Sequence, residues 1–144
     1  MPATVVAEFA VDDILASMDY YENVLGFEKG PAQRFEDERV FHGQVWLDDV
    51  HISFSPSSGG GGPGNDEITR ALKQGSAKGT GVLLYIDLGN RDVDDYYERV
   101  GGRGGRIIVP LGDRPWGHRN FTMRDLDGYV LTFSQALENY AGRH

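Results

Sequence analysis

The sequence predicts an α+β fold: two βαβββ modules pairing into a curved mixed sheet around a cleft. Two internal matches and one periodicity carry this expectation. DYYENVLG (19–26) and DYYERVGG (95–102) agree at six of eight positions with an offset of 76. LDDVHISFS (47–55) and LDGYVLTFS (126–134) share four identities at an offset of 79. Two matches in the same order argue for a duplicated unit, and two copies make a paired domain rather than a solenoid. Around each match the apolar spacing switches from a period of two to a helical one and back.

In the first copy, TVVAEFAV (4–11) alternates Val5, Ala7, Phe9 and Val11 on one face with Val6, Glu8 and Ala10 on the other. Asp12 or Asp13 then caps a helix whose apolar stripe is Ile14, Met18, Tyr21 and Leu25, stopped by Gly26. FEKGPAQRF, RVFHGQVWL and DVHISFS follow as strands. In the second copy, GVLLYIDL (81–88) is the first strand. Asn90 or Asp92 caps a shorter helix carrying Val93, Tyr96, Tyr97 and Val100, and GRIIVPL, GHRNFTMRD and GYVLTFSQ complete the module. LDD and LDG fall at hairpin turns, where Asp125 and Asp127 shape the second one. The 144 residues thus read as one domain, with modules at 4–57 and 80–136 and a Gly-rich linker at 58–79. That linker holds room for one helical turn near Ile68–Lys73; it has no Gly-Lys-Ser/Thr ending, so it is not read as a phosphate-binding loop.

Composition narrows the function classes. Forty per cent apolar residues suffice for a core, and no apolar run approaches the roughly 20 residues of a membrane span. No basic segment followed by an apolar signal core opens the chain. Cysteine is absent, which removes disulfides, thiolate nucleophiles and Cys-ligated metals. A soluble, cytoplasmic protein is the expectation. Residues 1–57 hold 11 acidic against 3 basic residues, whereas the remainder hold 11 of each. Nucleic acid is not an expected partner, since phosphate binding needs a concentrated basic surface. The acidic half serves solubility, or attracts a cationic ligand, or pairs with Arg119 and Arg124.

Alternation divides the side chains into faces. Ile52, Phe54, Leu131 and Phe133 must meet the helices, which turns His51, Ser53, Ser55, Val130, Thr132 and Ser134 the other way. Val6, Glu8, Ala10, His42, Gln44 and Trp46 fall on that opposite face, which suits a ligand. Glu8 reads as an acid, base or cation partner, or as an ordinary polar residue at a wet surface. His42 and His51 lie on neighbouring strands of one face, close enough in sequence terms to pair. Ser53 with His51 has the residue types of a nucleophile and base, but i and i+2 lie about 7 Å apart along a strand.

With DYYENVLGF after the first strand and PWGHRNFTMRDLDGYVLTF at the end, the chain resembles the vicinal oxygen chelate superfamily. That family includes glyoxalase I, extradiol dioxygenases and bleomycin-resistance proteins. The resemblance implies the two-module fold and, in metal-using members, His and Glu ligands from both copies. Carried over, those positions fall on Val6, Val82, Ser53 and Thr132, none of which binds a divalent metal well. The resemblance therefore points to the metal-free antibiotic-binding branch. It implies no cofactor, no catalytic residue, a small-molecule ligand and a homodimer. Trp116, on the PWG turn, reads equally as a stacking platform for a planar ligand and as a packing residue. The expected ligand-binding set is Glu8, His42, Trp46, His51, Ser53, Trp116 and Thr132. The alternative is a metal-dependent glyoxalase- or dioxygenase-like enzyme with displaced ligands such as Glu8, His42 or His51.

Overall fold

A computed structural model describes residues 3–57 and 78–138. The 58–77 segment, with the expected helical turn at 68–73, lies outside the described residues. The chain divides into two compact units, Met1–Lys78 and Gly79–His144, each an α+β arrangement with one mixed sheet. Among the described residues no helix is long and apolar enough to cross a membrane.

The first unit runs β1 (Ala7–Val11), α1 (Ile14–Asn23), β2 (Glu28–Lys29), β3 (Gln33–Arg34), β4 (Val40–Leu47) and β5 (Val50–Pro56). Its sheet has the order β1-β5-β4-β2, with β3 also on β4; β1 and β5 are parallel and the other pairs antiparallel. The second unit runs β6 (Leu83–Asp87), α2 (Val93–Gly102), β7 (Arg106–Arg114), β8 (His118–Arg124) and β9 (Val130–Ala136), in the order β6-β9-β8-β7. A parallel first-to-last pairing with the other strands antiparallel recurs in both.

Local chemistry accounts for the boundaries. Asp13 and Asp92 are the N-caps, each carboxylate accepting from the backbone N–H three residues on. Ile14, Met18, Tyr21 and Leu25 are all buried, as the stripe requires. The second helix is not shorter: both have ten residues, offset by 79 at each end. The expected strand over FEKGPAQRF is instead two dipeptides around Gly30 and Pro31, because proline has no N–H for the ladder. The expected first strands also begin later, at Ala7 and Leu83. Two-residue and five-residue turns close the hairpins. Asp48 takes φ 50° in the first, and Asp125 accepts from Asp127 and Tyr129 N–H in the second.

Helix α2 ends with Gly104 at φ 84°. Its N–H donates to the Gly101 carbonyl, and the Gly105 N–H to the Val100 carbonyl, the two bonds of a Schellman motif. A Cβ on Gly105 would sit 2.8 Å from that Val100 carbonyl oxygen. Gly105→Ala is therefore expected to cost about 1–3 kcal/mol, read as a lower urea midpoint with an unchanged m-value.

Where β1 meets α1, Asp12 accepts from Lys78 Nζ at 2.8 Å and from the Ser57 hydroxyl. The Lys78 hydrogen bond, then that of Ser57, lowers the Asp12 pKa below its ordinary 3.8. A depressed carboxyl pKa stabilises the fold above the unfolded value and loses that contribution as pH falls through the folded one. Lys78→Ala is expected to return the Asp12 titration, followed by carboxyl NMR, toward 3.8.

Candidate functional site

The helix-covered face of each sheet is apolar and closed. In the first unit Ile52, Phe54 and Val45 are fully buried under Tyr21 and Leu25; in the second, Phe121, Met123, Leu131 and Phe133 are fully buried. Chemistry is left to the opposite faces, where strand register lays the side chains out in rows about 7 Å apart.

In the first unit the central row is Glu8, Ser53 and Gln44. One row away stand Ala10 and Ser55, with His42 beside Ser55 by continuation of the same register. On the other side are His51 and Trp46, directly paired. Five of the seven expected residues thus share one face of one sheet. The register separates the two histidines, however: His42 and His51 lie two rows apart, about 14 Å along the strands. They do not pair, and within this unit no metal can bridge them. The Ser53 hydroxyl donates to Glu8 Oε1 at 3.4 Å, so its partner is the carboxylate rather than His51.

Trp46 is packed. Its ring is stacked on His51, with centroids 4.6 Å apart and 17° between planes. Gly30 is the only residue type that fits beneath its edge, since a Cβ there would lie 2.8 Å from Trp46 Cη2. Three buried polar atoms on this face have no hydrogen-bond partner: His42 Nδ1, Ser55 Oγ and His51 Nε2.

In the second unit the corresponding rows are Asp87, Ser134 and Asn120; Tyr85, Thr132 and Thr122; and Leu83, Val130 and Arg124. Here the side chains satisfy one another. Thr122 and Thr132 hydroxyls are 2.8 Å apart. Arg114 Nε donates to Asn120 Oδ1 at 2.9 Å, which orients the amide so that Nδ2 donates to the Tyr85 hydroxyl at 3.1 Å. Trp116 Nε1 also donates to that hydroxyl, at 3.3 Å. With two donors accepted, the Tyr85 O–H points to Ser134 Oγ, 2.9 Å away. Ser134 in turn lies 3.0 Å from Nδ1 of the buried His118.

Trp116 is where the PWG turn was expected to put it, between β7 and β8. It is 54% exposed and tethered by its indole N–H. The sequence reading missed Tyr85, Asn120 and Arg114 as its support. Alternation through LLYID and RNFTM places Tyr85 and Asn120 on this face, but nothing in a lone sequence joins them. Arg119 and Arg124 bind inside their own unit: Arg119 to Asp94 at 2.7 Å and Asp113 at 3.0 Å, and Arg124 to the Gly128 carbonyl at 2.8 Å. A separate depression of roughly 320 Å³ beside α1 is lined by Asp12, Asp13, Phe35 and Arg39. Its polar groups are committed to the Lys78 pair, the helix cap and the Arg39–Phe35 contact.

A duplicated βαβββ unit with a helix-free, mixed polar and aromatic face defines the protein class. A profile of the Glyoxalase/Bleomycin resistance protein/Dioxygenase superfamily matches residues 4–133, and the chain belongs to that family. Comparison with the curated proteins finds no match. Among solved structures, TioX from Micromonospora sp. ML1 is similar at 24% identity and a TM-score of 0.67, over 93% of this chain and 96% of that one. A glyoxalase/bleomycin resistance protein/dioxygenase from Nocardioides is 18% identical with a TM-score of 0.68, over 100% and 90%. A member of the same superfamily from Sphaerobacter thermophilus DSM 20745 is 22% identical with a TM-score of 0.67, over 94% and 98%. These likenesses establish the fold.

The metal that the family implies for some members does not fit the residues at its positions. Val6 precedes β1, and register makes Leu83, rather than Val82, its counterpart; all three are apolar. Ser53 and Thr132 offer neutral hydroxyls already bonded to Glu8 and Thr122. Among the described residues no three His, Asp or Glu side chains converge.

Proposed function

We propose that the chain is a cytoplasmic, metal-free binding protein for a small aromatic or cationic molecule, acting as a homodimer that sequesters an antibiotic-like ligand. The observation that carries this reading is Trp116: a half-exposed indole held in place by a hydrogen bond on a polar, helix-free face. A rigid aromatic of this kind stacks on a planar ligand at small entropic cost. The apolar and hydroxyl side chains at the four family metal positions support binding over metal-assisted chemistry. Isothermal titration against glycopeptide and other polycyclic antibiotics tests it, and at least one affinity tighter than millimolar is expected. Stoichiometric zinc, nickel or iron retained through dialysis would overturn the metal-free reading in favour of an enzyme with displaced ligands. Light scattering at monomer mass would remove the homodimer.

A further inference from the structure

We infer that the helix-free face of the first unit's sheet binds a cationic amidine- or amine-bearing group flanked by a neutral polar group, with Glu8 taking the charge. The inference rests on the small-molecule reading and assigns a ligand chemistry to the first unit's face by itself. A buried polar atom without a partner costs about 1–3 kcal/mol, so such atoms are rare unless something else satisfies them. Three stand on this one face: His42 Nδ1, Ser55 Oγ and His51 Nε2. The equivalent rows of the second unit hold none among the described residues, because Tyr85, Asn120, Ser134, Thr122 and Thr132 bond one another. The duplication therefore supplies a control at these three rows, where the same backbone layout is self-satisfied in the second copy and not in the first; the buried Nε2 of His118 lies one row beyond them.

Charge selects the ligand. The first unit's rows contain two carboxylates, Glu8 beside Ser53 on β1's edge of the sheet and Glu28 across from Trp46 on β2, and no Lys or Arg; only Glu8 stands beside the Ser53 row. Glu8 is exposed, and the contact it receives from Ser53 is long, at 3.4 Å, which leaves its oxygens free to accept the paired N–H donors of an amidinium. Ser55, 5% exposed, and His42 stand together one row away, and His51 one row away on the other side. Each can donate or accept, so a neutral amino, hydroxyl or amide group at one row's distance from the cation is matched. An anion there meets Glu8 and no counter-charge.

Three probes of one shape separate these terms: 4-aminobenzamidine, 4-aminobenzamide and 4-aminobenzoate, cationic, neutral and anionic. With the full chain, histidine-ring and indole NMR is expected to show the amidine shifting His42 or His51 signals. It should bind about tenfold or more tightly than the amide, and the benzoate should not bind. Glu8→Gln should bring the amidine-to-amide ratio close to one, and Ser55→Ala should weaken both about equally. Equal binding of all three probes, or shifts confined to the Trp116 indole, would overturn the inference. So would silence from all three while the antibiotic panel binds, which leaves the general reading standing. Silence from probes and panel together sinks both.

Discussion

Phe133→Ala is expected to lower the stability of the protein by about 3–5 kcal/mol, the usual range for deleting a fully buried phenyl ring. Phe133 has no exposed surface. Its ring lies 4.8 Å from that of Tyr96 and 5.6 Å from that of Phe121, so the mutation removes two aromatic contacts as well as apolar area. The cavity would be walled by a helix on one side and the β8–β9 ladder on the other, neither of which collapses easily. Phe54 occupies the equivalent place in the first unit, equally buried and 5.3 Å from Tyr21. Phe54→Ala should cost a similar amount. Urea unfolding checks both; a loss under about 1 kcal/mol would contradict the packing described.

The second large effect concerns ligand. Trp116→Ala is expected to weaken binding of any antibiotic found by titration about tenfold or more, as loss of an aromatic anchor does. Stability should change little, because the indole is 54% exposed. Tyr85→Phe separates positioning from contact. It keeps both rings but removes the hydroxyl that accepts from the Trp116 indole. The expected result is a changed indole N–H resonance and an affinity loss of about threefold, with a stability cost of about 1–2 kcal/mol from the orphaned Asn120 and Ser134 groups. Unchanged affinity in Trp116→Ala would reduce that residue to a loop pin.

Much of the architecture was legible because it rests on local rules. Alternation placed Phe54 and Phe133 inward and Glu8, Ser53 and Thr132 outward, and carboxylate capping marked Asp13 and Asp92. The clearest repeat in the sequence misaligns the helices. DYYENVLG and DYYERVGG match at an offset of 76, whereas the helices themselves are offset by 79. The shift is three residues, nearly one turn, so both versions present a tyrosine to the core: Tyr21 in α1 but Tyr96 in α2. Helical periodicity conceals such a slip, whereas the strand match at 79 cannot slip without inverting its faces. The site was half legible for the same reason. Face assignment follows from alternation, but the distance between His42 and His51 depends on register across a hairpin. The stack that occupies Trp46 depends on it too.

Arg114 lies on β7, three side chains removed from His118 along the contacts that join them. A guanidinium can only donate, and from that single constraint the amide of Asn120, the phenol of Tyr85 and the hydroxyl of Ser134 each inherit a direction. Assigned from this network, the last proton is directed at Nδ1 of His118, which places the imidazole hydrogen on Nε2. A tautomer in the interior is thus tied to Arg114 through a chain of hydrogen bonds, besides the direct pairing of Arg114 with His118 across β7 and β8. The proton order is therefore coupled along that chain from Arg114 to His118, while the Thr122–Thr132 pair on the same face stands outside it.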